Sequence, residues 1–294
     1  MKRIVGIGLL AASLAGAGVS QATEGGGGAY PNGAEDFMTG VLPPPGDYMV
    51  AYGLYQGAED FKDGDGDTLP IEFNLEVFGG VFRAIHVTDI EVAGGQWAQH
   101  VFVPILNVDV TTPAGSDAAF GLGDVIVDPF IVGWHRPPFH WVAGVDVYLP
   151  VGVYHESDLA RVGRGYWTFE PVFAATYLRE SGLEVSAKFM YDINLENESS
   201  DYESGDEFHF DYAAGLALGS ACKVGLSGFV YYQVTEDTAP STTPDVGKGR
   251  QVAIGPAVQC QVGPCSVVGK WQYEFLTENR PEGEKFWLKI VCPF

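Results

Sequence analysis

From Gly46 onward the chain alternates apolar with polar or small residues in runs of ten or more, separated by turn residues. Alternation with a period of two predicts β-strands with two unlike faces. Twelve runs are read, at approximately 46–56, 71–88, 96–110, 119–135, 139–153, 166–179, 182–196, 206–220, 222–236, 249–262, 264–277 and 284–294. After the odd-numbered runs the connections are long or polar, at 59–67, 111–118, 155–165, 197–205, 236–249 and 278–283. After the even-numbered runs they are mostly tight, as at 136–138, 179–182, 220–221 and 263–264, with 89–95 a little longer. This parity predicts an all-β fold, an up-and-down transmembrane antiparallel β-barrel of about 12 strands. Short turns are expected at the periplasmic end and longer loops outside. A β-sandwich or soluble barrel does not sort its loops by length in this way, and its strands run nearer ~5–6 residues. Twelve strands leave about 23 residues for each strand and connection, and sixteen about 17, which is tight once ~9–11 are spent crossing the membrane.

Several runs sort cleanly by face. In 166–179, Trp167, Phe169, Pro171, Phe173 and Tyr177 oppose Thr168, Glu170 and Thr176. In 182–196, Val185, Phe189, Tyr191 and Ile193 oppose Glu184, Ser186, Lys188 and Asp192. In 206–220, Phe208, Phe210, Tyr212, Leu216 and Leu218 oppose His209 and Asp211. In the last run, Phe286, Leu288, Ile290 and Phe294 oppose Lys285 and Lys289. A charge on the lipid face costs ~2–4 kcal/mol at the midplane, so the apolar faces are assigned to lipid and the polar faces to the lumen. Alternation alone would also fit an inverted, soluble barrel. The aromatics argue against inversion: Trp97, Trp134 and Trp141 fall near short turns, and Trp167 and Tyr191 nearer the opposite ends. Two such belts mark membrane interfaces. The terminal Phe294, on the apolar face, is read as the contact for the barrel-assembly machinery.

The segment ahead of the barrel has two parts. Lys2 and Arg3 precede an apolar run from Ile4 to Val19, followed by Ser20-Gln21-Ala22. This describes a signal peptide over 1–22 and predicts export to the outer membrane of a Gram-negative bacterium. The competing reading, an anchor helix, is disfavoured by a short run rich in Gly and Ala. Residues 23–45 hold Gly25 to Gly28, Pro31-Asn32-Gly33 and Pro43-Pro44-Pro45, with no periodicity. This Gly/Pro-rich segment is expected to enter the 46–294 barrel from the periplasmic side as a partial plug, making contact through Tyr30, Phe37 and Met38. Composition narrows the partners. A net charge of -22 with only 18% charged and 46% hydrophobic residues excludes a disordered acidic chain. A pI of about 4.4 excludes a nucleic-acid binder, which needs clustered Lys and Arg. Outer-membrane lipid and lipopolysaccharide are the expected surroundings.

The inward positions expected to line the lumen are Glu72, Asn74, Glu76, Asn107, Asp109, Asp124, Asp128, Asp146, Glu170, Glu184, Asp192, Asp211 and Glu274. The basic inward candidates are Lys188, Lys270, Lys285 and Lys289. They fit either an ion-pair network bracing a filled barrel or a substrate path along a charged wall. Asp63-Gly-Asp65-Gly-Asp67 resembles the opening of a Ca²⁺ loop, but Thr68 stands where that loop needs Gly and Asn74 where it needs an acid. A solvated acidic loop is the plainer reading, and no metal is expected. The six histidines lack ligand spacing. His209 and Asp211 share a face, yet no G-x-S-x-G elbow marks a nucleophile, so neither an enzyme nor a cofactor is expected.

Cys222, Cys260, Cys265 and Cys292 lie near the short-turn ends of the last four runs, all on the outward face. Export favours disulfides. Adjacent strands suggest the pairs Cys222–Cys260 and Cys265–Cys292; a Cys260–Cys265 bridge across the tight turn, or free thiols, are the alternatives.

The chain also resembles the outer-membrane family named for the meta-pathway of phenol degradation, a relative of hydrophobic-compound uptake channels. The matching stretches are residues 23–28 through 42–46, 121–124, 166–171, 203–211 and 278–283, in order over nearly the whole mature chain. The resemblance implies a monomeric outer-membrane barrel passing small apolar or aromatic molecules. Gly79-Gly80 and Pro104, Pro129, Pro150, Pro171 and Pro256 within runs are compatible with kinks that open a lateral exit to lipid. The alternative role is a structural or surface-binding barrel without transport.

Overall fold

The structure is a computed structural model that describes residues 23–238 and 247–294. The expected signal peptide, 1–22, lies outside the described residues. Among the described residues thirteen strands follow one another: β1 (Gly46–Phe61), β2 (Asn74–Val92), β3 (Gly95–Thr112), β4 (Gly115–Leu122), β5 (Val125–Arg136), β6 (Phe139–Leu149), β7 (Thr168–Leu178), β8 (Leu183–Asn194), β9 (Glu207–Leu218), β10 (Cys222–Gln233), β11 (Arg250–Val262), β12 (Cys265–Glu278) and β13 (Pro281–Pro293). All pair antiparallel with their neighbours, β1 with β13, and β2 with both β1 and β3, so twelve strands close into a barrel with β4 as an extra.

The run expected over 119–135 is two strands, because β3 changes partner along its length. Its loop-side half pairs with β4, from Ile105↔Leu122 to Thr112↔Gly115. Its other half pairs with β5, from Gln96↔Gly133 to Phe102↔Ile126. Pro104 marks the change: it has no N–H to give the ladder, and its carbonyl accepts from Gly123 N at 3.0 Å. A Cβ on Gly123 would stand 3.0 Å from the Pro104 ring. Asp124 then draws in the following loop by accepting from Gly152 N (2.9 Å) and Arg164 N (2.6 Å). β6 stops at Leu149, just before Pro150, rather than running to 153.

Two connections expected to be long are tight instead. β3 and β4 are joined by Pro113-Ala114 alone, and β12 and β13 by Asn279-Arg280 alone. The polar residues between 111 and 118 sit on a protruding hairpin, not in a loop. The other long connections, 62–73, 150–167, 195–206 and that between β10 and β11, stand at the same end. At the opposite end the turns are short, with Gly94 and Gly263 at positive φ where a side chain would be strained.

The outward face is apolar. Phe78, Phe82, Phe169, Phe173, Leu216 and Leu288 are all exposed, in keeping with a lipid-facing band. Trp134 and Trp141 stack at 6.2 Å near the short turns, and Trp167 lies exposed near the loops. Both disulfides favoured by the strand order are present, Cys222–Cys260 and Cys265–Cys292, each joining directly opposed residues of neighbouring strands.

Candidate functional site

The segment before β1 runs through the lumen from the loop end to the short-turn end. At the loop end Thr23 N donates to Asp237 and Glu24 N to Ser204, while the Glu24 carboxylate meets Arg161, Tyr154 and Asn197 at 2.7–3.0 Å. Midway, Tyr30 OH, Gly33 N and Glu35 N all donate to the Asp211 carboxylate at 2.7–2.8 Å. Glu35 pairs with Arg83 (3.0 Å) and Lys289 (3.4 Å), and Asp36 with Lys270 (2.9 Å) and Lys289 (2.6 Å). Further down, Met38 N donates to Glu184 and Gly40 N to Thr176. Phe37 is buried against Ala213 and Ala257, with Met38 beside it. Small residues allow the close passage: a Cβ at Gly40 would meet the β7 backbone at 2.6 Å.

On the loop side this segment leaves a cavity of about 630 Å³. One wall is apolar, with Leu54, Leu75, Val77, Phe102, Val108 and Val110 pointing inward from β1 to β3. The other carries Asp146 and Lys188 from the charged strands, and Glu24, Glu35 and Tyr30 from the segment itself. Leu159 and Val162 of the 150–167 loop close it on a third side. The same loop reaches the free edge of β4, where Val153 N donates to Leu122 O at 2.8 Å. It is also pinned to the hairpin tip, since Asp117 accepts from Leu159 N and Ala160 N at 3.0–3.1 Å. The backbone donor Ala160 foremost, with Ala118 and Leu159 adding to it against burial, holds the Asp117 carboxyl below its ordinary range.

The apolar wall corrects the expected lumen. In β2 and β3 the inward positions are the hydrophobic ones, so Glu76 and Asp109 stand on the outward face, as do Asn74 and Asn107. Glu76 accepts from the outward Tyr55 OH, Asn107 bonds Asp109, and Glu72 is exposed ahead of β2. These carboxylates lie toward the loop ends of β2 and β3. The remaining lumen candidates are gathered inside. Asp128, Asp146, Glu170, Glu184, Asp192, Asp211 and Glu274 are buried, as are Lys188, Lys270, Lys285 and Lys289. Asp124 is buried at the strand break. Lys188 pairs with Asp146 at 3.3 Å and Lys285 with Glu274 at 3.1 Å. Asp63 folds back on its own loop, accepting from Asp65 N and Asp67 N.

Several residues of the site are not evident from alternation alone. Arg83 interrupts the apolar inner face of β2, joins Glu35 and His100, and lies 4.5 Å over the Phe102 ring. Glu35 and Asp36 sit in an aperiodic segment, where no face pattern exists to flag them. Glu207 continues the inward series His209 and Asp211, which is the signal that could have found it.

The fold has known counterparts. The COG4313 outer membrane channel from Pseudomonas putida F1 matches with a TM-score of 0.77 at 15% identity, over 86% of this chain and 97% of that one. The translocator domain of the autotransporter NalP from Neisseria meningitidis matches with a TM-score of 0.52 at 7% identity, over 86% of this chain and 90% of that one. At such identities the likeness shows an outer-membrane barrel fold. No curated protein matches the sequence. The family model described as "Putative MetA-pathway of phenol degradation" matches residues 58–290, which covers most of the chain and all of the barrel except its two ends, and the protein belongs to that family.

Proposed function

We propose that this barrel passes small hydrophobic or aromatic molecules across the outer membrane through the loop-side chamber, with residues 23–45 as its plug. The observation that carries the proposal is the inward-facing apolar wall from Leu54 to Val110, in a lumen whose other wall is charged. A channel for polar solutes has no use for buried hydrophobic residues that face its water, and each of them costs roughly 25 cal/mol per Å² left wet. An apolar guest of drug-like size fits a cavity of this volume and covers that surface.

The exit we propose is lateral. The line of Gly79-Gly80, Pro104, Gly123 and Pro150 crosses β2 to β6 at one height. Above it, the wall between β4 and β7 is loop 150–167 rather than strand. That loop separates the chamber from the outside and is tied to β4 by few backbone bonds. The COG4313 protein is described as an outer membrane channel, and the family by phenol degradation, which agree with an apolar aromatic cargo. The proposed role is passage and not catalysis, with lipid around the outer face and assembly through the strand ending in Phe294.

Purified barrel in liposomes, offered a panel of aromatic, aliphatic and small polar solutes, tests this. Saturable uptake of apolar solutes alone supports the proposal. Free passage of polar solutes identifies a general porin. No passage at all favours the second reading, a structural or binding barrel, to which the buried pairs of Asp36 with Lys270 and Lys289 would then belong.

A further inference from the structure

The inner faces of β6 to β9 carry a row of carboxylates at one height. Asp146 stands opposite Glu170, and Asp192 opposite Glu207, while Glu170 and Asp192 lie between the pairs Phe169↔Ile193 and Val172↔Met190. All four are buried. Like charges directly across a sheet repel, and a buried charge without a partner is strongly unfavourable. The lysine of the row is Lys188, at 3.3 Å from Asp146 and 3.7 Å from Glu170, and Arg280 and Arg164 act on Glu207, which leaves Asp192 without a lysine or arginine ion pair among the described residues. In the middle of the row stands His209, whose Nε2 is 3.2 Å from Asp192 Oδ2 and 3.7 Å from Glu170 Oε2.

We propose that Glu170, Asp192 and His209 bind one first-row divalent cation on the lumen wall. One ligand atom from each of the three lies within 4.8 Å of the other two. Ligands held at about 2.0–2.1 Å around a tetrahedral ion stand about 3.3 Å apart, which matches the His209 distances. The site also has unused capacity: Asp192 Oδ1 is buried with no hydrogen-bond partner, while Glu170 Oε1 makes no hydrogen bond and faces Lys188 at 3.7 Å. Tyr148 OH donates to Glu170 Oε2 at 2.8 Å and fixes that carboxylate from outside the cluster. One imidazole nitrogen with two carboxylates suits Zn²⁺ or a neighbouring transition ion, whereas Ca²⁺ and Mg²⁺ prefer all-oxygen shells. The ion would balance the acidic row. It would also bind β7, β8 and β9 together beneath the N-terminal segment, where the Tyr30 ring lies 5.0 Å from that of His209.

The test uses the mature barrel, folded in detergent, stripped with a chelator and dialysed against Zn²⁺, with bound metal counted by mass spectrometry. One retained equivalent per chain is expected in the wild type and in Asp63→Asn, which alters an outer acidic loop. Asp192→Asn and His209→Gln should each weaken retention by at least about 10–100-fold, the loss that removing even an outer partner produces. Heat-modifiable gel migration identifies the variants that fold. For the wild type alone, X-ray absorption at the zinc edge should show nitrogen and oxygen neighbours at about 2.0–2.2 Å. No retained equivalent in the wild type would mean that protons, Lys188, Arg164 and Arg280 balance the row, and would overturn the proposal. Undiminished retention in both folded variants, or a purely aqueous shell at the edge, would overturn it equally.

Discussion

Asp117 and Lys270 show how single residues hold this lumen in place. Asp117 sits at the β3–β4 hairpin tip and gathers the Leu159 and Ala160 amides of the 150–167 loop. Its carboxyl is held below the ordinary range, so its contribution is present above the unfolded value of about 4 and is lost as pH falls below that. Limited proteolysis of the loop should therefore be flat from neutral pH to about pH 5 and rise below about pH 4. Asp117→Asn should raise cleavage across the whole range. Lys270 is fully enclosed, donating to Asp36 and to the Ala34 and Glu35 carbonyls. Lys270→Ala leaves Asp36 with Lys289 alone and takes the donor from the Ala34 and Glu35 carbonyls, and losing buried hydrogen bonds to a charged group costs about 1.5–3 kcal/mol. A fall in thermal resistance on that scale, read by heat-modifiable migration, is expected. Sequence and structure agree unevenly at this scale. Lys188 and Asp211 are legible from alternation because their strands carry aromatics on the other face. Glu76 and Asp109 mislead, because the rule that polar means inward fails where the lumen itself is apolar and the strand end is solvated.

At the scale of elements, strand positions from β6 onward follow the period-two pattern closely, and the turn residues fix the short end. The 119–135 run hides the division between β4 and β5: inward positions are odd-numbered in β4, as Ala119 opposite Val108, and even-numbered at the start of β5, as Ile126 opposite Phe102, but small and apolar residues on both faces blur the change of phase. The break comes from Pro104 on the neighbouring strand, a long-range effect whose local counterpart, Gly123-Asp124, reads in sequence as one more small-polar step. Nor can alternation place residues 23–45, whose path depends on lysines more than two hundred residues later, as in the Lys270 contacts. If that segment is the plug, deleting 23–42 should raise single-channel conductance, and unchanged conductance would remove it from that role. The disulfides were legible only as alternatives, since spacing allows three outcomes and strand pairing selects one. They enclose sequence separations of 38 and 27 residues. Each should contribute about 3–4 kcal/mol by limiting the unfolded chain. Reduction should lower the unfolding temperature without altering the barrel's circular dichroism at room temperature.

As a whole molecule the protein combines two lumens in one ring: a charged half on β6 to β13, tied to the N-terminal segment by ion pairs, and an apolar half on β1 to β3. The large negative charge of the chain is spent partly on this inner network and partly on the outer loops, so net charge says little about cargo. The apolar half says more. Val77 points into the chamber from β2, away from both the ion pairs and the proposed cation site. The most direct measurement is uptake of a small aromatic solute into liposomes holding wild-type barrel or the Val77→Asp variant. A charge on the hydrophobic wall should cut saturable uptake at least about tenfold, corresponding to roughly 1.4 kcal/mol, with ionic conductance unchanged or raised. Equal uptake by the two folded proteins would contradict the chamber as the route.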